Sequence, residues 1–548
     1  MSWGVTSGAL PDGLTLASTG VIAGIPTMTA AATPITFTVR DSSDKALTRD
    51  VSLPLTVSPE AITVSITPAR AAVVVNQPLT VTATTNDYAG VSWSISPAGG
   101  AFDMPRSGSG APITLTAPSS AGVYTVSATS VVDGSQSASI TVGVTDLAGV
   151  FTYHNDLARD GVNAQEYALT PKSVNTTNFG KLFSCTVDGA VYAQPLWVAN
   201  LSLGGSRRNV VLVATQHDSL YAFDADMSPC VQLWKVSLID TNHGASSGEV
   251  SVAATPTHSL VGFGNGSSSP EVGVVGTPVI DPVSAILYVV SMSTNSTGTA
   301  FYHRLHAIDI TSGSEKPGSP TPPILASYSG TGGTHVDFNS RQELQRTGLT
   351  LVNGSVYVAW ASFEDKDPWY GWIMAYKYSG GALVQSSVLN VAPNIRGAGI
   401  WMSGGAPAAD TTGSIYVATG NGVSAGSSAT NDYGDSVLKL ASGLTVSDWF
   451  MATVEITRRA LADLERLFDF IAAENPQKAR EQILSVGKAF ELLGDHPLLG
   501  RNAEDGRREL ILSRGRYGYI AKYRWLPAED IVLILAVRHQ LEAGYAGE

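Results

Sequence analysis

The chain has 548 residues with 33 basic and 46 acidic side chains, a formal charge of −13 and only 14% charged residues; at roughly 100 to 200 residues per domain, this length predicts three to five domains. Its 55 glycines and 28 prolines, 83 of 548 residues, are close to the usual share of about 12%, which excludes a collagen-like or low-complexity disordered chain. The acidic balance argues against a general nucleic-acid binder, whose footprint is a basic surface that releases phosphate counterions.

The longest purely apolar run, residues 531–537, is far below the ~20 residues that span a bilayer, so no membrane span is expected. The first eight residues lack the basic and apolar regions of a signal peptide; as written, the chain reads as cytoplasmic. Two cysteines, Cys185 and Cys230, are too few for a disulfide framework or a cysteine-based zinc site, which leaves one bridge or two free buried thiols.

Residues 1–58 carry Leu10-Pro11-Asp12-Gly13-Leu14, then Thr19-Gly20-Val21-Ile22-Ala23-Gly24-Ile25-Pro26, then Phe37-Thr38-Val39. Proline and glycine set turns between short strands. The pair of motifs resembles the immunoglobulin-like, cadherin-like repeats of bacterial surface proteins, in which further strands precede the position of Trp3; the resemblance implies a module truncated at its N-terminus. Residues 59–146 read as a second β-sandwich, with Trp93 in a core strand and Tyr124 entering a later strand as a tyrosine corner.

From 147 to 450 a longer, imperfect repeat follows. Its units open at Gln194-Pro195, Gly276-Thr277-Pro278, Gly348-Leu349-Thr350 and Gly405-Ala406-Pro407, and each continues into two or three apolar runs such as Leu220-Tyr221-Ala222-Phe223-Asp224. Short strands that cannot bury both faces alone are the pattern of propeller blades. The run resembles quinoprotein-type (PQQ-like) β-propellers, of which about four blades fit before Met451. Members of that class commonly use adjacent cysteines against the cofactor, which are absent here, so quinoprotein dehydrogenase activity is not expected and no cofactor is assigned. His217, His303, His306 and His335 lack metal-ligand spacing and read as structural; the acidic run Glu364-Asp365-Lys366-Asp367 reads as a solvated turn rather than a calcium loop.

Composition breaks at Met451. Residues 1–450 hold 19 basic and 31 acidic side chains (50 of 450, 11%), whereas 451–548 hold 14 and 15 (29 of 98, 30%). Two unlike proteins read as joined at Phe450-Met451 without a linker, an arrangement that a gene rearrangement would also leave. In the last part Leu461, Leu464, Leu467, Phe468 and Ile471 predict one helix face. Asn475 and Pro476 predict the cap and first turn of a second helix, whose stripe is Ala479, Ile483, Val486, Phe490 and Leu493. With strands at 453–456, 509–512, 517–525 and 531–537, the order β-α-α-β-β-β predicts a helical hairpin on a mainly antiparallel sheet. The predicted whole is multidomain: all-β to 450 (sandwiches, then an incomplete propeller), α+β thereafter.

Tyr519-Ile-Ala-Lys-Tyr-Arg524, Asp530 through Gln540 and Glu542-Ala-Gly-Tyr545 resemble the ParE/RelE toxins of type II toxin–antitoxin modules. The resemblance implies a cognate antitoxin wrapped on the helical hairpin and one of two targets: DNA gyrase, inhibited by the ParE kind, or messenger RNA on the ribosome, cleaved by the RelE kind. Arg507, Arg508, Arg514, Arg516, Lys522 and Arg524, with one acid, Glu509, among them, are the expected target-binding set. For ribonuclease chemistry, His539 and Tyr545 are the candidates to move protons and Arg514, Arg524 and Arg538 to stabilise charge; this set does not match the Lys/Arg-rich set of RelE nucleases, so enzymatic activity stays open and the strand end Arg538-His539-Gln540 points to the ParE branch. The alternative reading is an exported adhesion or binding protein whose C-terminal domain is incidental.

Overall fold

The computed structural model describes residues 1–548 except 43–46, 59, 165, 172–173, 177–178, 254–270, 364–367, 403–404, 423–430, 451–452, 513–517, 528–530, 543 and 546–548. The acidic run 364–367 and the expected site residues Arg514 and Arg516 lie outside the described residues. The chain divides into two units, 1–146 with 166–173, and 147–165 with 174–548. Both are mostly β, and the helical content is concentrated near the C-terminus. Among the described residues, no helix is long and apolar enough to cross a membrane.

In the first unit, strands Ser2–Ser7, Ala30–Arg40 and Thr48–Val57 form one sheet, with Ile35 and Phe37 as its buried residues. Gly20, at φ 90°, lies so close to the Trp3 indole that a Cβ would meet it at 2.8 Å; the Thr-Gly turn is therefore glycine for contact as well as conformation. Residues 64–145 form a four-stranded and a five-stranded sheet around a common core. Trp93 is buried there with its indole N–H donating to Ser107, and the Tyr124 hydroxyl donates to the Ser120 carbonyl at 2.9 Å, the backbone tie of a tyrosine corner.

Among the described residues of the second unit, four larger antiparallel sheets follow one another along the chain, built mainly on strands 196–237, 279–309, 343–390 and 408–450, with a two-stranded sheet at 327–337 between the second and third. The repeat openings meet: Leu349 N–H donates to the Thr277 carbonyl, Gly348 N–H to the Gly405 carbonyl and Gln194 N–H to the Thr277 hydroxyl, at 2.8, 2.9 and 3.0 Å. Cys185 and Cys230 form a disulfide, which selects the bridge over free thiols. His303 and His306 are fully buried, His306 held by Ser291 and Glu315.

Glu343, 1% exposed and with Oε2 lacking a hydrogen-bond partner, lies in this interior. Burial pushes its carboxyl well above the ordinary 4.5, so the folded state holds the proton more tightly than the unfolded one. Its contribution is then fully present below the ordinary value and is lost as pH rises through the folded one. Glu343→Gln is expected to match the parent in urea midpoint at about pH 4 and to exceed it at about pH 8; equal midpoints at both would contradict a buried, proton-retaining Glu343.

The C-terminal domain starts with β1 (Thr453–Ile456), α1 (Arg458–Ala472) and α2 (Pro476–Asp495). It continues through β2 (Arg501–Asn502), β3 (Arg508–Ile511), β4 (Tyr519–Leu526) and β5 (Ile531–His539). The sheet order is β1-β5-β4-β3-β2, with β1 parallel to β5 and every other pair antiparallel. Thr457 and Asn475 cap the helices by accepting the N–H groups of Ala460 and Lys478, and Pro476 occupies the first turn. Ala479, Val486, Phe490 and Leu493 are buried against Leu467, Ile471, Tyr523, Val532 and Ile534. One expectation fails: Leu461 is 50% exposed. Helix α1 is rotated so that Ala460 and Asp463 point inward instead, because the Asp463 carboxylate accepts the Val537 N–H of β5 at 3.0 Å, a bond that compensates its burial.

Candidate target-binding site

Strand alternation divides the sheet residues between two faces. Tyr519, Ala521 and Tyr523 of β4 pack into the core under the helices; Ile520, Lys522 and Arg524 therefore face the other way. Register carries that open face across the sheet, since Lys522 pairs with Glu509 of β3 and Ala536 of β5, Ile520 with Arg538, and Glu509 with Arg501. Four strands thus bring Arg501, Lys522, Arg524 and Arg538 to one surface around Glu509.

Tyr545, beyond β5, comes back over this surface. Tyr545, 7% exposed, donates its hydroxyl to Glu509 Oε1 at 2.9 Å. Its ring centroid lies 4.2 Å from Lys522 Nζ and 5.1 Å from Arg538 Cζ, both within cation–π range. Glu509 Oε2 accepts from Arg501 Nε at 3.0 Å and also from its Nη2. Burial would raise the Glu509 carboxyl, but the bonds from Arg501 and Tyr545 outweigh it and hold it below the ordinary range. Burial and the Glu509 carboxylate push the Tyr545 phenol well above 10, against the opposing pull of Arg538.

The expected set is divided by this geometry. Arg508 pairs with Tyr523 and so lies on the helix side, where it donates to the carbonyls of Leu498 and Gly500 at 2.7 and 2.9 Å and anchors the turn after α2, apart from the face of Lys522 and Arg538. Arg524 reaches the Asp505 carbonyl at 3.1 Å, and Arg507 is half-buried just before β3. His539 stands apart from Tyr545: it pairs with Tyr519 across the strands, their rings in an edge contact at 5.5 Å, and it lines a cavity of about 420 Å³ beside Arg466, Phe470 and Glu542 on the α1 side. There Arg466 Nη1 pairs with Glu542 at 2.6 Å. The structure therefore brings Lys522, Arg538 and Tyr545 together, with Arg524 on the same face, and leaves His539 on the opposite one. Sequence reasoning counted Glu509 only as the lone acid among cations; that isolation was the available signal for its central place.

Two family profiles match the chain: the ParE toxin of the type II toxin–antitoxin system, parDE, over residues 454–544, and an Ig domain over residues 1–58. Toxin RelE3 of Caulobacter vibrioides is 37% identical over 92 residues, 17% of this chain and 98% of that protein. Toxin RelE2 of the same organism is 35% identical over 89 residues, 16% and 96% respectively. Among solved structures, domains 4 and 5 of the S-layer protein SbsC align at 18% identity over 26% of this chain and 70% of theirs, with a TM-score of 0.18, too low to bear on the fold.

Proposed function

Because its C-terminal domain makes this chain a member of the ParE/RelE family of type II toxins, fused to other N-terminal domains, we propose that this domain acts by binding and inhibiting its target, in the manner of the ParE kind on DNA gyrase, rather than by cleaving RNA. The observation that carries the choice is the separation of His539 from the cationic face. A ribonuclease needs a base within reach of the 2′-hydroxyl and a cation at the phosphate; here the imidazole lies on the α1 side, while the phenol beside the cations is committed to Glu509 and resists ionisation. What remains on the open face is Lys522 and Arg538 against an aromatic ring, with Arg524 on the same side of the sheet, an arrangement suited to docking on an acidic surface. Family membership implies a cognate antitoxin, whose expected seat is the helical hairpin.

Induced expression of the full chain, and in parallel of residues 451–548, is expected to arrest growth, with relief by a co-expressed antitoxin of the same family. Loss of supercoiling activity with intact messenger RNA is the expected second result. Ribosome-dependent RNA cleavage would overturn the ParE-like branch, and harmless accumulation would overturn the toxin reading.

For the remainder, we read 59–146 as an immunoglobulin-like sandwich and 147–450 as four propeller-type blades; the tyrosine corner and the hydrogen bonds joining successive repeat openings support these assignments. The Cys185–Cys230 disulfide favours a second reading, in which the β-rich part is an exported binding module, because such bridges persist in oxidising compartments. Fractionation that leaves the full-length chain entirely in the cytosol would rule that out.

A further inference from the structure

Glu542 and Tyr545, both after β5, touch opposite faces of the C-terminal domain. On the α1 side, the Glu542 carboxylate pairs with Arg466 and accepts the His539 N–H at 3.0 Å, while its carbonyl accepts from Arg538 Nη1 at 2.9 Å. Three residues later, Tyr545 is seated on the open face, fastened to Glu509 and lying against Lys522 and Arg538. Two carboxylates, one on each side of the sheet, thus fix Glu542 and Tyr545, the latter over the cations.

We propose that the Tyr545 side chain is a strap across the cationic face, fastened at Glu509, and that Glu509 is the positioning residue that sets how much positive charge the face presents. The inference rests on the reading of that face as the target site. Glu509 acts in two ways. Its charge is spent on Arg501, whose side chain is 68% exposed and turns outward once released. Its Oε1 holds the Tyr545 hydroxyl, and with it the ring that covers Lys522 and Arg538. A target bearing clustered negative charge competes with Glu509 for the same cations, so weakening this one carboxylate both frees Arg501 and lifts the cover.

The test uses the full chain, parent and Glu509→Gln, with two readouts. The first is ionisation of the Tyr545 phenol, followed by NMR of ring-labelled tyrosine and assigned with Tyr545→Phe. In Glu509→Gln it is expected to ionise at a lower pH, since the neighbouring negative charge is gone while Lys522 and Arg538 remain. The second is affinity for a short double-stranded DNA, used only as a polyanion probe, across a salt series. Its log–log slope is expected to steepen by about 0.9 for each cation released. Tyr545→Ala, which strips the cover without touching the sheet, is expected to steepen the slope as well and serves if Glu509→Gln folds poorly. An unchanged phenol titration in Glu509→Gln, or an unchanged slope in both variants, overturns the strap. Neither readout depends on toxicity: the expected shifts in a chain that fails to arrest growth would sink the toxin reading and leave the strap standing.

Discussion

Replacing Arg159 with alanine is expected to destabilise the four-sheet region by about 3–4 kcal/mol, among the larger effects a single substitution produces. The guanidinium uses its whole fork. Nη1 donates to the Thr152 hydroxyl and to the carbonyls of Tyr153 and Asp156 at 2.7, 2.9 and 2.8 Å. Nη2 donates to the Thr350 hydroxyl and the Pro407 carbonyl at 2.8 and 3.0 Å, and Nε reaches Pro407 at 3.2 Å. Burial brings its pKa down to about 10, which still leaves it charged at neutral pH. Three stretches remote in sequence are joined by this one side chain, so its removal leaves several acceptors unpaired at once. Arg159→Lys is expected to recover less than half of the loss, because an ammonium is a point donor and cannot span the fork. Urea unfolding of the full chain followed by tryptophan fluorescence measures both variants. A loss below about 1 kcal/mol for alanine would mean that the repeat openings hold together without the clamp.

The second large effect is functional. The double variant Lys522→Ala/Arg524→Ala is expected to raise the concentration needed to inhibit the target about 100-fold, roughly tenfold for each cation or ~1.4 kcal/mol apiece. Both side chains stand on the open face and are half-buried, so the stability of the domain should change far less than its affinity. Arg508→Ala is the contrast. Because that guanidinium holds the carbonyls of Leu498 and Gly500, it should lower the thermal midpoint of the domain and affect inhibition only through folding. If Lys522 and Arg524 can be removed without loss of inhibition, the target meets another surface.

Helices α1 and α2 were legible because their information is local. A stripe at spacings of three and four, a capping Asn475 and a first-turn Pro476 act within two turns of backbone. The same reasoning misplaced Leu461, because the rotation of α1 is decided by a bond from Val537 to Asp463, 74 residues apart. An acid inside a helix reads as solvent-facing until a distant strand supplies its donor. The placement of Arg508 is a related case. Its charge was visible, but the face it occupies depends on pairing with Tyr523, and a shift of one residue in register moves every side chain of a strand to the other side.

By itself the sequence determined the composition break at Met451, the strand-rich character before it, the helical hairpin after it and the family to which that last part belongs. Each of these is written in periodicity, turn residues and short motifs that act over a few positions. Only the tertiary structure decided that Cys185 meets Cys230, that Arg159 clamps Pro407 from 248 positions away, and that Tyr545 crosses the sheet to Glu509 while His539 turns to the helices. Those outcomes depend on strand register and on the direction in which the chain re-enters the sheet, which no local pattern encodes, because they are fixed by the packing of segments distant in sequence.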